Sequence, residues 1–211
     1  MPDLRWLRLD PSRGVQLALA SYTEEFGERE SAVRDRASWK FERGQHFEEQ
    51  GDPSREALSQ GRWEEALRLL DEERSRWLAI AREDERRGAP FRRVRVVEEP
   101  LTPYMQWELH ALRVQAQAGM GIRIVQAGRV RPWEQAGPLP EVVVLGGRLL
   151  YEILYTEAGV LAGARRFTDP GLAQRWERFI AHLYEDAEDV VSYVDRYVSR
   201  LPAPSLGQGV K

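Results

Sequence analysis

Residues 92–108 hold the side chains whose types and spacing best suit the binding of a polar ligand. Arg93 and Arg95 alternate with valines on a predicted strand, and Tyr104 and Glu108 lie one turn apart on a predicted helix. In open α/β sheets, ligands sit outside the carboxyl ends of the strands, where such a strand passes into its helix. The same side chains would also suit packing of the helix on the sheet. The candidate ligand- or partner-binding set is therefore Arg93, Arg95, Tyr104, Trp107 and Glu108, with structural packing as the alternative.

The other residue types that carry out chemistry form no recognisable catalytic or metal-binding motif. His46, His110 and His182 are far apart in sequence, and none has the spacing of a zinc site. No serine lies in a Gly-x-Ser-x-Gly turn, and no histidine is followed two residues later by lysine, as phosphodiesterases require. The chain has no cysteine, which excludes thiolate chemistry and disulfides. We predict no catalytic residue and no metal site.

Two further motifs are better explained without a cofactor. The run Gly119-Met120-Gly121 follows a predicted helix and precedes a predicted strand, whereas phosphate-binding glycines occur in the opposite order. The acidic run Glu185–Asp189 lies beside the apolar stripe of a predicted helix, so its carboxylates are expected to face water. We therefore predict no bound cofactor.

The elements that position the candidate set form an α/β fold with a mixed sheet. Residues 93–97 and 122–125 predict two strands, and the helix starting at Pro103 joins them in a parallel βαβ unit. Residues 142–145 and 149–155 predict a hairpin, because Gly146 and Gly147 separate two apolar runs. A further strand over residues 160–167 continues the antiparallel meander.

The flanking regions are predicted to be mainly helical. Residues 1–90 are interpreted as a helical N-terminal region that includes an arginine-rich helix over Arg62–Arg87, while residues 37–42 alternate like a strand and stay unassigned. Residues 91–204 form the mixed-sheet domain. Apolar residues from Leu172 to Leu201 predict one long amphipathic C-terminal helix, or two collinear ones, that buries its stripe against the sheet or in a homodimer. Residues 205–211 are predicted to be a flexible tail.

Composition and charge restrict the compartment and the partners. The 211 residues carry a net charge of −3 with acidic and basic residues interspersed, so direct nucleic-acid binding is not expected. No apolar run approaches the ~20 residues that cross a bilayer, and Met1–Trp6 does not resemble a signal peptide. We expect a cytoplasmic protein that does not enter the membrane.

The central motif resembles a known family. Residues 93–97, 100–102, Tyr104, Glu108 and Leu109 resemble the signature of the actinobacterial domain-of-unknown-function family six-eight-seven-nine. Residues 37–42 and 117–123 resemble its flanking blocks, although Met120 stands where the family has Glu. The resemblance implies a regulatory accessory role, because family members are often encoded beside helix-turn-helix regulators. The order of elements is also similar to half of a phospholipase-D-like fold, here in an inactive version.

Three hypotheses follow for the function. The first is a non-enzymatic accessory module that binds a protein partner, such as a helix-turn-helix regulator, or a small effector at Arg95, Tyr104 and Glu108. The second is an enzyme that acts on a phosphorylated or nucleotide-like substrate through Glu108, His110, Tyr104 and Arg95. The third is a helical scaffold that docks through the arginine-rich helix. The absence of a catalytic motif favours the first.

Overall fold

The protein folds as a mixed α/β structure, and the computed structural model describes residues 4–205. The strands are β1 (Val15–Ala18), β2 (Ser38–Glu42), β3 (Phe91–Val97), β4 (Gly121–Gln126), β5 (Val142–Leu145), β6 (Leu149–Tyr155), β7 (Leu161–Phe167) and β8 (Glu188–Asp189). The helices are α1 (Leu19–Ser31), α2 (Pro53–Ser59), α3 (Trp63–Glu72), α4 (Arg74–Arg86), α5 (Pro103–Gln117), α6 (Ala127–Val130), α7 (Pro170–Glu185) and α8 (Val190–Tyr193).

All eight strands form one mixed sheet in the order β1-β7-β6-β5-β2-β3-β4-β8. Strands β2, β3 and β4 are parallel, and the remaining neighbours are antiparallel. The predicted βαβ unit is confirmed as β3–α5–β4, and the predicted meander is confirmed as β5–β6–β7. Gly146 and Gly147 have φ angles of +50° and +65°, which suit the tight turn between β5 and β6.

Strand β2 lies at the centre of the sheet, between β5 and β3. The helical prediction for residues 1–90 is wrong for β1, although α1–α4 lie in this region. Ser38–Glu42 follows the strand alternative that the sequence left open. Residues 1–90 thus supply two strands to the same sheet as residues 91–204.

The two faces of the sheet differ in chemistry. The α7 face carries Trp39 and Phe41, and it is covered by Trp176 and Phe179 of α7 in one apolar cluster. The apolar stripe of α7 is therefore buried within the chain itself. The opposite face, here called the α5 face, carries the alternate residues of β2 and β3, because successive side chains of a strand point to opposite sides.

The C-terminal helix ends earlier than predicted. Helix α7 stops at Glu185, β8 pairs with β4 at the sheet edge, and α8 continues as a π-helical turn over Val194–Val198. Val190 and Val194 pack in the cluster of α5, whereas α7 packs on the other face. A single long helix and two collinear helices are both wrong. Asp189 starts the new helix by accepting N–H bonds from Val191 and Ser192 at 2.9 and 3.2 Å.

The predicted helix over Arg62–Arg87 is also divided. Helices α3 and α4 meet at Glu73, whose N–H bonds to the carbonyl of Leu70. Helix α3 buries Ala66 and Leu70 against α5, and the arginines of both helices lie mostly on the outer surface.

Two further predictions concern the C-terminal tail and membrane-spanning helices. Residues 206–211 of the predicted tail lie outside the described residues. No helix within residues 4–205 has both the length and the apolar character needed to cross a bilayer.

Candidate functional site

A group of charged side chains lies at the centre of the α5 face. We call it the central charge cluster, and its members are Lys40, Glu42, Arg93, Arg95, Glu108 and Glu141. Lys40 and Glu42 of β2 lie directly opposite Arg93 and Arg95 of β3. Glu141 follows on the other side of β2, just before β5, and Glu108 reaches the cluster from α5. Strand register therefore assembles charges that are far apart in sequence.

Arg95 is the buried centre of this cluster. Its side chain is 0% exposed, and its Nη2 and Nε donate to Glu108 Oε2 at 2.7 and 2.8 Å. Its Nη1 donates to the carbonyl of Val96 at 3.2 Å. Burial lowers the pKa of Arg95, but the carboxylates of Glu108, Glu42 and Glu141 outweigh burial and raise it above its ordinary value. Arg95 is thus a fixed, fully charged element that binds α5 to the sheet.

Glu42 accepts contacts from two cations at once. Its Oε1 lies 2.5 Å from Lys40 Nζ, and its Oε2 lies 3.4 Å from Arg93 Nε. Burial raises the pKa of Glu42, but Arg93, Lys40 and Arg95 lower it, and the result is a pKa of about 2. Glu42 is therefore ionised at neutral pH and holds Lys40 and Arg93 beside each other.

Glu141 is a buried carboxyl of a different kind. Its Oε1 accepts the backbone N–H groups of Arg43 and Gly44 at 2.8 and 2.5 Å, and its Oε2 is buried with no hydrogen-bond partner among the described residues. Burial raises the pKa of Glu141 to about 7, although Arg95 and the two N–H groups act in the opposite direction. Glu141 thus fixes the chain where it leaves β2.

Helix α5 places two aromatic side chains, Tyr104 and Trp107, beside the cluster. Thr102 caps the helix by accepting the N–H of Met105 at 3.0 Å, and Pro103 occupies the first turn. Tyr104 Oη donates to Glu49 Oε1 at 3.1 Å, and burial raises the pKa of Tyr104 above its ordinary range. Trp107 Nε1 donates to Ser54 Oγ at 2.8 Å. These bonds hold the start of α5 in one orientation.

A polar cavity of about 270 Å³ opens between α5, the junction of α3 and α4, and the sheet. We call it the polar cavity, and Lys40, Glu42, Arg93, Tyr104, Trp107 and Glu108 are among its lining residues. The structure therefore brings the predicted set together: four of its members line the cavity, and Arg95 lies behind Glu108. The sequence does not predict that the cluster also contains Lys40, Glu42 and Glu141.

A larger cleft of about 600 Å³ adjoins the polar cavity. This apolar cleft lies between α1, α4 and the sheet, where Phe26, Ile80 and Ile153 are among its walls. Lys40, Trp77 and Arg93 line both spaces. The two cations of Glu42 therefore stand at the boundary between a polar and an apolar compartment.

Of the alternative catalytic set, Glu108, Tyr104 and Arg95 lie together, but His110 is separate from them. The His110 ring lies edge-on to Trp63 at 5.5 Å between centroids, and His110 does not line the polar cavity. Burial, with Arg113, lowers the pKa of His110 to about 4. His46 lies outside that set, with its Nε2 2.8 Å from Glu48 Oε1. Within residues 4–205, no group of three or more histidine, aspartate or glutamate side chains is arranged to hold a metal ion.

A protein-family model matches most of the chain. The model of a domain of unknown function, DUF6879, matches residues 24–195, which include β2–β8 and the whole central charge cluster. No curated protein matches the chain.

Proposed function

We propose that this chain, which belongs to the DUF6879 family of domains of unknown function, is a non-enzymatic accessory module of the cytoplasm that binds a small effector in the polar cavity. The observation that carries the proposal is the rigid cluster of buried charges that opens onto this cavity. Buried charges that are paired and hydrogen-bonded have a geometry that is fixed before a ligand arrives, which lowers the entropic cost of binding.

Binding is favoured over catalysis by what the acidic groups contact. Glu108 accepts two N–H bonds from Arg95, and Glu49 accepts the hydroxyl of Tyr104. A general acid or base needs a proton that it can exchange with a substrate at hydrogen-bond distance. Here the carboxylates of Glu108 and Glu49 already accept hydrogen bonds from Arg95 and Tyr104 of the protein itself.

Helices α3 and α4 supply a route from the cavity to the surface. Leu70, Arg76 and Trp77 of these helices and Glu73 at their junction line the polar cavity, while most of their other charged residues face outwards and Asp84 is buried. A ligand would therefore favour one placement of α3 and α4 through its differential contacts. We propose that a protein partner, such as a helix-turn-helix regulator, recognises this outer surface.

The binding proposal can be tested by blocking the cavity. Gln115 of α5 lines the polar cavity, whereas Gln117 of the same helix is exposed and lies outside it. Fractions of molecules below about 1 kDa from the source cells are expected to raise the unfolding temperature of the wild type. A ligand present at a hundredfold excess over its Kd stabilises by about 2.7 kcal/mol. Scanning fluorimetry of the wild type, Gln115→Trp and Gln117→Trp provides the measurement.

The expected result is a shift in the wild type and Gln117→Trp that is absent in Gln115→Trp. An equal shift in both variants would place the ligand elsewhere. No shift with any fraction would contradict the effector proposal.

A further inference from the structure

We infer that the effector is a small organic acid with an apolar body, whose acid group lies in the polar cavity against Lys40 and Arg93 and whose body extends into the adjoining apolar cleft. This inference rests on the proposed function and specifies the chemistry of its ligand. It follows from an imbalance of hydrogen-bond donors and acceptors where the two cavities meet.

The donors at this boundary outnumber their partners. Lysine carries three N–H donors and the arginine guanidinium carries five. Among the described residues, Lys40 contacts Glu42 Oε1, and the guanidinium of Arg93 contacts Glu42 Oε2 through Nε at 3.4 Å. Their side chains are 23% and 18% exposed, so the remaining donors are reachable from the cavities. A ligand that supplies several acceptors would satisfy them.

Most of the carboxylates around the boundary are engaged by the protein, whereas Glu42 Oε2 is buried and has only the 3.4 Å contact with Arg93 Nε. In the apolar cleft, Glu30 Oε1 and Asp84 Oδ1 accept from Arg87 Nη2 at 2.7 and 2.5 Å. In the polar cavity, Glu73 Oε2 accepts from Arg76 at 2.9 Å, and Asp52 caps α2. A cationic ligand would therefore compete with ion pairs that the protein makes itself.

The direct partners of the two cations support the same assignment. Lys40 and Arg93 share the single carboxylate of Glu42 as their direct partner, although the linings of the two cavities together hold more carboxylates than cations. Arg95 and Glu108 neutralise each other. Glu141 also belongs to the central charge cluster, but it does not line either cavity. A carboxylate, sulfonate or phosphate of the ligand would supply further acceptors to Lys40 and Arg93, because bidentate acceptors match the guanidinium fork.

The walls of the apolar cleft define the rest of the ligand. Tyr22, Phe26, Trp77, Phe91 and Tyr155 give it an aromatic lining, and Ile80, Ile153 and Leu161 complete an apolar surface. Ligand pockets of a few hundred Å³ that combine such walls with a few convergent polar groups bury most of a small molecule. A flat aromatic or branched body of moderate size fits a space of about 600 Å³.

A matched set of fluorescent probes separates these features. The probes 1-pyrenebutyrate, 1-pyrenebutanol and 1-pyrenebutylamine share one apolar body and differ in the terminal group. At pH 7, fluorescence anisotropy is expected to give a Kd for the acid at least tenfold below that for the alcohol, with the amine weakest. Arg93→Gln should raise the Kd of the acid by about tenfold, as expected for loss of a charge-assisted hydrogen bond. Arg92→Gln, on the opposite face of β3, should leave it unchanged.

A second variant tests the apolar cleft without removing a charge. Leu161→Trp, at the half-buried rim of the cleft, should abolish binding of all three probes, whereas Leu78→Trp on the exposed side of α4 should not. Equal affinities for the three probes, tighter binding of the amine, or unchanged binding by Leu161→Trp would overturn the inference.

The two proposals can fail separately. If a small molecule from source cells binds in the polar cavity but no probe binds with the acid preferred, the acid assignment is wrong and the proposed function stands. If 1-pyrenebutyrate binds as expected but no cellular fraction stabilises the protein, the effector role fails and the chemistry of the cleft is retained.

Discussion

Arg95→Met is expected to lower the free energy of unfolding by about 3–5 kcal/mol, as is usual when one partner of a buried ion pair is removed. The guanidinium is fully buried and gives Glu108 two donors, so its loss leaves the carboxylate without a partner between α5 and the sheet. Urea unfolding followed by tryptophan fluorescence measures the change.

The control for this substitution is an exposed arginine of α4. Arg86 is 72% exposed and contacts Glu83, so Arg86→Met should cost less than about 1 kcal/mol. The double variant Arg95→Met/Glu108→Leu should recover much of the lost stability, because apolar replacement of a whole buried pair is often neutral. A cost below 1 kcal/mol for Arg95→Met would contradict the central role of this pair.

Glu141→Gln is expected to change the pH dependence of stability by about 3 kcal/mol. Burial raises the pKa of Glu141 from 4.5 to about 7, so the folded state binds a proton that the unfolded state has released in this range. Glu141 therefore makes the wild type lose stability as pH rises from 4.5 to 7, and one pKa unit corresponds to 1.36 kcal/mol. Glutamine keeps an Oε1 that can accept from Arg43 and Gly44 but cannot ionise.

The difference in free energy of unfolding, variant minus wild type, should thus increase by about 3 kcal/mol between pH 4.5 and pH 8. Glu157→Gln, in an exposed turn, is the control for the removal of one carboxylate. If the difference for Glu141→Gln stays constant, Glu141 does not titrate as its surroundings require. Denaturant unfolding at a series of pH values provides the test.

The parts of the fold that the sequence predicts well are those with local patterns. In β3, arginine alternates with valine. Helix α5 begins with a threonine cap and a proline, and two glycines mark the turn between β5 and β6. Each of these signals lies within the element that it predicts, so no distant contact is needed to interpret it.

The errors arise where distant contacts decide the structure. Lys40 and Glu42 alternate with Trp39 and Phe41, a pattern typical of a strand with one solvent-exposed face, but both faces of β2 are buried. Glu42 pairs with Lys40 of the same strand and with Arg93 of another strand, about fifty residues away. The sequence predicts one long C-terminal helix, or two collinear ones, because the apolar spacing of α7 continues into α8. The break is not visible in this pattern, since β8 between the two helices has only two residues.

The sequence predicts only the part of the site that depends on local contacts. Tyr104, Trp107 and Glu108 lie on one helix next to the strand of Arg93 and Arg95, so their proximity follows from one βαβ unit. Glu141 follows a proline-rich loop with no recognisable motif, and its place beside Glu42 depends on strand order. Sequence spacing alone does not give the order of strands in a sheet.

The most direct test of the effector proposal is a mass balance by native mass spectrometry. Protein isolated from the source cells would be weighed intact, unfolded to release its ligand, and then supplied in ligand-free form with the released molecule. We predict one small molecule per chain that is recovered with unchanged mass, retained by Gln117→Trp and lost by Gln115→Trp. A molecule recovered with altered mass would show catalysis, and a chain without any small molecule would contradict effector binding.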